Sequence, residues 1–228
     1  MSKLEQELLN IPGMGKSLAR KLMDAGLERP SQLRLRKFKA LLSNEVALSV
    51  KYGLTRTRDL PWDFVNSLIH TMPAGLTPVG SFRRKRPFLK DLDLITLQPL
   101  EKMRAKILAR SKRASDSDFA LEPPYDVLEH YSSGERKHSF IIKFKGRYIR
   151  VDLFRVPDKS EWPYALLHFT GSQEFNIKLR AHAKRQGLKL NQYGLFNQAG
   201  KKLDLGPGLT EKKIMEYLHF KYVSPKDR

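Results

Sequence analysis

Three aspartates have the spacing best suited to chemistry. Asp91 and Asp93 alternate with Leu92 and Leu94 in GSFRRKRPFLKDLDL, residues 80–94, and Asp152 follows the same alternation in YIRVDLF. A strand turns residues two apart to the same face, so Asp91 and Asp93 share one side, as do Tyr148, Arg150, Asp152 and Phe154. Two carboxylates on one face repel. The pair persists if one acid shifts its pKa, if arginines neutralise both, or if a divalent cation sits between them, since magnesium takes hard carboxylate oxygens. If the two strands are neighbours in a sheet, three carboxylates converge. That set matches the two-metal design in which paired ions clamp the attacking and leaving oxygens of a phosphoryl transfer. A lone Asp-Leu-Asp is usually a salt-bridged strand. The Gly80-Ser81 turn, the basic run after it and the second aspartate strand weigh against that reading here.

A second stretch, IPGMGKSLARKL at residues 11–22, sets Gly13 and Gly15 in a tight turn and then opens a helix. Glycine permits left-handed backbone and close approach, and free amides at a helix start favour a phosphate oxygen. Lys16 adds charge at that point. The GMGKS string lacks the spacing of a triphosphate-wrapping loop, and a helix rather than a strand precedes it, which excludes a dinucleotide-binding turn. A plain interhelical turn is as good a reading of this stretch taken alone.

The formal net charge of +19, from 43 Lys plus Arg against 24 Asp plus Glu, calls for an anionic partner, with nucleic acid foremost. The basic residues are dispersed and form no strongly amphipathic lysine-rich helix, so a membrane surface is disfavoured. There is no cysteine, which excludes disulfides, thiolate metal sites and cysteine nucleophiles. The six histidines form no HExxH or HxxxH pair. No apolar signal core opens the chain, and no stretch approaches the roughly 18 apolar residues of a membrane span. A soluble intracellular protein is expected.

The elements that must position these residues are legible in outline. The first third is helical: Leu4, Leu8 and Leu9, then Leu18, Leu22 and Leu27, follow helical spacing. Ser31 is placed to cap a short helix, Asn44 to open another through Tyr52, and Pro61 to start one that ends before Pro73. From Leu76 the texture turns to β-rich runs: LTPVGSF, DLDLITL, SFIIKF and RYIRVDLFRV, with Lys145-Gly146 bending the last two into a hairpin. A helix from Leu100 to Arg110 interrupts them. SKRASDSD, residues 111–118, reads as an exposed loop. The last segment combines helices at Phe175–Gln186 and Glu211–Leu218 with short strands around Lys189 and Tyr193.

Taken together these motifs carry a resemblance. IPGMGKSLARKL resembles the helix-hairpin-helix motif that grips the DNA backbone. GSFRR, DLDL and RVDLF look like the nucleotidyltransferase palm of the family X DNA polymerases, relatives of polymerase beta. YALLHFTGSQEFNIKLRAHAKRQGLKLNQYGLF, residues 164–196, and the ending YVSPKDR resemble that family's nucleotide-binding subdomain. The resemblance implies an α+β fold: a helical hairpin subdomain over 1–58, a catalytic palm with a mixed β-sheet over 59–157 and a small α+β nucleotide-binding subdomain over 158–228. It implies a template-directed, short-gap-filling DNA polymerase of DNA repair, without proofreading, working as a monomer on dNTPs and gapped or primer-template DNA.

Carried over by position, Asp91, Asp93 and Asp152 hold two magnesium ions, with manganese able to substitute. Asp152 lies at the primer hydroxyl, and Arg150 orients it beside the DNA. Ser81 and Arg84 bind the β and γ phosphates, and Gly80 lets backbone approach them. His168, Phe169 and Gly171 turn beneath the incoming sugar. Asn176 contacts the incoming nucleotide, and Arg180 contacts the template in the minor groove. Gly13, Gly15 and Lys16 grip the duplex, where the carbonyls of Leu9, Ile11 and Met14 hold a sodium or potassium ion. No helical domain precedes Met1, so the resemblance implies no lyase activity. His168 replaces a tyrosine of polymerase beta, and with the string LNQYGLF it points to a small, virus-like branch. Phe154 and Gln192 replace an arginine and a glutamate that link subdomain closure to the site, and Ile177 replaces a basic or polar template contact. Two alternatives stand beside the polymerase reading: template-independent terminal transfer, and an inactive basic DNA-binding scaffold.

Overall fold

A computed structural model describes residues 1–54, 60–112 and 124–228. The head opens with α1 (Lys3–Leu9) and α2 (Lys16–Asp24), followed by a 3-10 turn at Pro30–Arg34, α3 (Arg36–Lys39) and α4 (Asn44–Tyr52). The Ser2 and Ser43 hydroxyls accept the amides of Glu5 and Val46, satisfying the first turns of α1 and α4. Leu8, Met14, Leu22, Phe38 and Val46 form the head's core. Ser31 does not cap a helix. Gln32 takes that part, its Oε1 accepting the amides of Glu28 at 2.8 Å and Arg29 at 3.0 Å.

The middle of the chain runs through β1 (Leu60–Pro61), α5 (Trp62–Thr71), β2 (Thr77–Pro78), α6 (Gly80–Arg83), β3 (Phe88–Leu89), β4 (Asp91–Thr96) and α7 (Leu100–Lys112). It continues with β5 (Asp126–Ser133), β6 (Lys137–Phe144) and β7 (Arg147–Arg155). Five strands form a mixed sheet in the order β2-β4-β7-β6-β5, in which β4 and β7 are parallel and the other pairs antiparallel. Alternation sorts the two faces. Leu92, Leu94, Val151 and Leu153 face a core shared with Val65 and Leu68 of α5 and with Met103 and Ile107 of α7. Lys145 and Gly146 both have positive φ, 44° and 75°, as a two-residue hairpin turn requires.

Two further expectations are corrected. LTPVGSF is extended only at Thr77–Pro78, because Gly80, at φ +57°, turns the chain into α6. Ser111 and Lys112 belong to α7, not to a loop; the rest of that predicted loop, 113–118, lies outside the described residues.

The last part comprises α8 (Trp162–Thr170), α9 (Gln173–Arg185), β8 (Lys189–Asn191), β9 (Gly194–Phe196) and α10 (Glu211–Tyr217). Its own core gathers Leu167, Leu179, Leu195, Ile214 and Met215. A small cluster of Val79, Ile95, Val156 and Ala165 joins it to the sheet. Beside that cluster, Glu211 bridges Arg83 and Arg228, with Arg228 Nη1 at 2.7 Å, while Arg86 donates to the Arg228 carbonyl. Among the described residues no helix is long and apolar enough to cross a membrane.

Candidate active site

The parallel β4–β7 register sets Asp91 beside Arg150, Asp93 beside Asp152 and Ile95 beside Phe154. Because the flanking leucines and valine enter the core, these six side chains share the opposite face. The three aspartates expected to converge therefore do so, in two adjacent rows. Arg150 Nη2 lies 2.7 Å from Asp91 Oδ2 and 3.7 Å from Asp152 Oδ2. Lys137, from β6, donates to Asp152 Oδ2 at 3.0 Å, and Ser139 donates its hydroxyl to Oδ1 at 2.7 Å.

The charge is left unbalanced at Asp93. Burial, then the Asp91 and Asp152 carboxylates, push its carboxyl up from 3.8 to about 7 against the opposing pull of Arg150 and Lys137. Among the described residues no three His, Cys, Asp or Glu side chains are placed to hold a metal ion as they stand. The site instead offers hard carboxylate oxygens around a buried acid whose ionisation needs more positive charge, and that donor set suits a divalent cation.

Gly80 lies over this acid. A Cβ built there would come 2.3 Å from Asp93 Oδ2, so only glycine lets α6 begin where it does. Ser81 follows on the same turn. Arg84, at the end of α6, reaches the other side of the cleft, where its Nη1 donates to the Thr170 carbonyl. Burial first, and then Arg86, lower its pKa below the ordinary guanidinium range. Gly171, at φ +63°, separates α8 from α9, and Arg84 Nη1 would lie only 3.2 Å from a Cβ there.

The expected sugar-contacting and minor-groove residues gather around this turn. Phe169 stacks on Phe154 with ring centroids 4.3 Å apart, and His168 meets Phe169 edge-on at 5.1 Å. Burial, then Arg180, lower the His168 pKa, which favours the neutral ring. Asn176 donates to the His168 carbonyl at 2.7 Å, and Arg180 donates to the Asn176 carbonyl one turn earlier. A cleft of about 200 Å³ runs between the sheet and the last part of the chain, lined by Lys137, Phe154, His168, Phe169, Gln192 and Tyr193. Ile177 is exposed on α9.

In the head, Gly13 adopts φ +83° with Glu45 and Val46 packed against it, Gly15 caps α2, and Lys16 is exposed. The Ile11 carbonyl already accepts the Met14 amide at 3.1 Å, while Leu9 ends α1. Head and sheet meet through Arg150 and through Glu45, Lys51 and Glu129, which the sequence did not single out. Glu45 accepts from Arg150 at 3.1 Å, and Glu129 accepts from Lys51 at 2.6 Å and from Tyr52 at 2.8 Å. Arg150 thus spans the head and the carboxylates. Ser139 and Lys137 were also missed. Ser139 opens the run SFIIKF and Lys137 lies two residues ahead of it, a period-two spacing that was a usable signal, but their register against Asp152 was not visible.

Residues 165–228 match the DNA polymerase beta thumb. The Repair DNA polymerase X of a Namibian warthog isolate of African swine fever virus is 35% identical over 170 residues, spanning 74% of this chain and 90% of that relative. A South African tick isolate gives the same identity and spans. The DNA polymerase/3'-5' exonuclease PolX of Bacillus subtilis is 28% identical over 191 residues, 84% of this chain and 28% of that protein. A carboxylate-bearing mixed sheet held between a helical hairpin head and this thumb is a polymerase-beta-like fold. The chain belongs to the family X DNA polymerases.

Proposed function

We infer that the chain is a template-directed DNA polymerase that fills short gaps during repair, without proofreading. In this reading a primer 3′-oxygen displaces pyrophosphate from the α-phosphorus of a bound dNTP. The observation that carries it is the side-by-side placement of Asp93 and Asp152, with Asp91 one row away, on the face opposite the core. Asp91, Asp93 and Asp152 would hold two magnesium ions, which lower the pKa of the attacking hydroxyl and neutralise the triphosphate. Arg150 orients Asp91 and Asp152, and Asp152 lies nearest the primer hydroxyl.

Ser81 and Arg84 bind the β and γ phosphates beside Gly80, for which Arg84 must release Thr170. The backbone from Phe169 to Gly171 packs under the sugar with His168. Asn176 and Arg180, one helical turn apart on α9, reach the minor-groove edges of the nascent pair. Gly13, Gly15 and Lys16 hold the duplex backbone, with a sodium or potassium ion at the carbonyls of Leu9, Ile11 and Met14. The three functional units are residues 1–58, 59–157 and 158–228, acting as a monomer.

Incubating the chain with a one-nucleotide gap, magnesium and a single dNTP tests this. The expected product gains one nucleotide, and only the one complementary to the template. Equal extension of single strands with no template would favour terminal transfer. DNA binding with no extension under magnesium or manganese would favour a scaffold.

A further inference from the structure

Asp152 is the most enclosed of the three carboxylates, 4% exposed, and β6 treats its two oxygens differently. Ser139 is its direct partner across the antiparallel β6–β7 pair and is itself fully buried. Its hydroxyl, on a short buried side chain, holds Oδ1 at 2.7 Å. Two residues earlier on the same face, Lys137 reaches Oδ2 at 3.0 Å. Lys137 is 44% exposed, on a flexible four-carbon stem that also lies over the Phe154 ring at 5.3 Å. One contact is built to stay. The other breaks cheaply, because an exposed ammonium exchanges a partner for water at little cost.

We propose that Ser139 and Lys137 are positioning residues that divide the two oxygens of Asp152 between them. Ser139 fixes Oδ1 and therefore the side-chain rotamer, while Lys137 stands in for a divalent cation on Oδ2 and is displaced when one binds. The proposal rests on the polymerase reading for its catalytic consequence, but not for its metal-binding one. Without the Ser139 hydroxyl, Oδ1 is left buried with no partner from β6 and the carboxylate is free to turn. Without Lys137, an entering cation has no competitor from β6 on Oδ2. Arg150 stands farther from that oxygen, at 3.7 Å, and is held by Asp91 and Glu45.

Two measurements on the full chain decide it. First, manganese binding is followed by electron paramagnetic resonance without DNA or dNTP, for the unaltered chain, Lys137→Met and Lys143→Met. Lys143 lies on the same strand, at its far end. Lys137→Met should bind manganese about threefold or more tightly, the scale of one exposed ion pair, and Lys143→Met should not differ from the unaltered chain. Equal or weaker binding by Lys137→Met, or the same gain in both variants, overturns the stand-in role. Second, single-turnover insertion into a gapped duplex is compared for Ser139→Ala and Ser139→Thr.

Ser139→Ala should lose about tenfold in rate, with apparent dNTP and DNA affinities within about twofold, and Ser139→Thr should recover most of the rate. A full rate in Ser139→Ala, or an equal loss in a Ser139→Thr variant that melts normally, overturns the fixing role. If the threonine methyl lowers the melting midpoint, the rate of Ser139→Ala alone decides the fixing role. If the unaltered chain inserts no nucleotide at all, the polymerase reading fails while the manganese comparison still stands.

Discussion

The unbalanced charge at Asp93 has a thermodynamic signature that needs no substrate. A carboxyl moved from 3.8 to about 7 by folding disfavours the folded state once it must ionise. At about 1.4 kcal/mol per pH unit the full penalty is on the order of 4 kcal/mol. Water reaching the open side of the cleft screens part of it, leaving about 2 kcal/mol. The sign follows from proton counts. Between the unfolded and folded values the folded chain holds the extra proton, so stability falls as pH rises from about 4 to about 7 and is level above that range. Asp93→Asn removes the titration. In chelator-treated protein the variant should match the unaltered chain near pH 4 and melt several degrees higher at pH 8. Magnesium at pH 8 should raise the unaltered melting point more than that of the variant. Thermal denaturation followed by circular dichroism at both pH values reads all of this. Coincident curves for the two proteins at pH 8 without metal would refute the claim that burial and the neighbouring carboxylates disfavour an ionised Asp93.

Other perturbations test neighbouring parts of the account. Gly80→Ala drives a methyl toward Asp93 Oδ2 at a positive φ, so gap filling should fall at least about a hundredfold while affinity for the duplex, measured by fluorescence anisotropy, is retained. Glu211→Ala strands the buried Arg228 and the half-buried Arg83 and should cost about 3 kcal/mol in urea unfolding. Burial alone would push the Glu211 carboxyl up, but Arg83 and Arg228 hold it below its ordinary 4.5. Its stabilisation is therefore present above that value and lost as pH falls below it, a loss that Glu211→Ala should not show. Duplex affinity should fall steeply between low and moderate salt, as counterions leave the phosphates, and the slope should lessen by about one for Lys16→Ala.

The parts of the fold that were legible are those where local pattern and tertiary environment agree. Alternation over Asp91–Leu94 and Tyr148–Leu153 sends Leu92, Leu94, Ile149, Val151 and Leu153 to one core face, so both strands and the aspartates on the opposite face could be read. Lys145-Gly146 and the serine-capped α4 follow from local backbone chemistry alone. The segment Trp162–Thr170 was not read as a helix, because WPYALLHFT is apolar on most sides. It packs against both the sheet junction and the thumb core, which erases the period. The strand Asp126–Ser133 was missed for a different reason. It is a polar edge strand whose register shifts twice, at Val127/Glu129 and His130/Ser132, so no period-two signal survives.

At the site, residue types and spacing were enough to single out the three acids, because each lies on its own alternating run. The groups that neutralise and orient them were harder to find. Lys137, Ser139 and Glu45 reach the carboxylates or Arg150 only through strand order and head docking, which no short window of sequence encodes.

Anomalous diffraction from a crystal of the chain with a gapped duplex, a non-hydrolysable dNTP analogue and manganese bears most directly on the central claim. Two peaks bounded by Asp91, Asp93 and Asp152, with triphosphate oxygens completing their shells, are predicted. A bound nucleotide with manganese lying elsewhere, and Asp91 and Asp152 still held by Arg150 and Lys137, would contradict it.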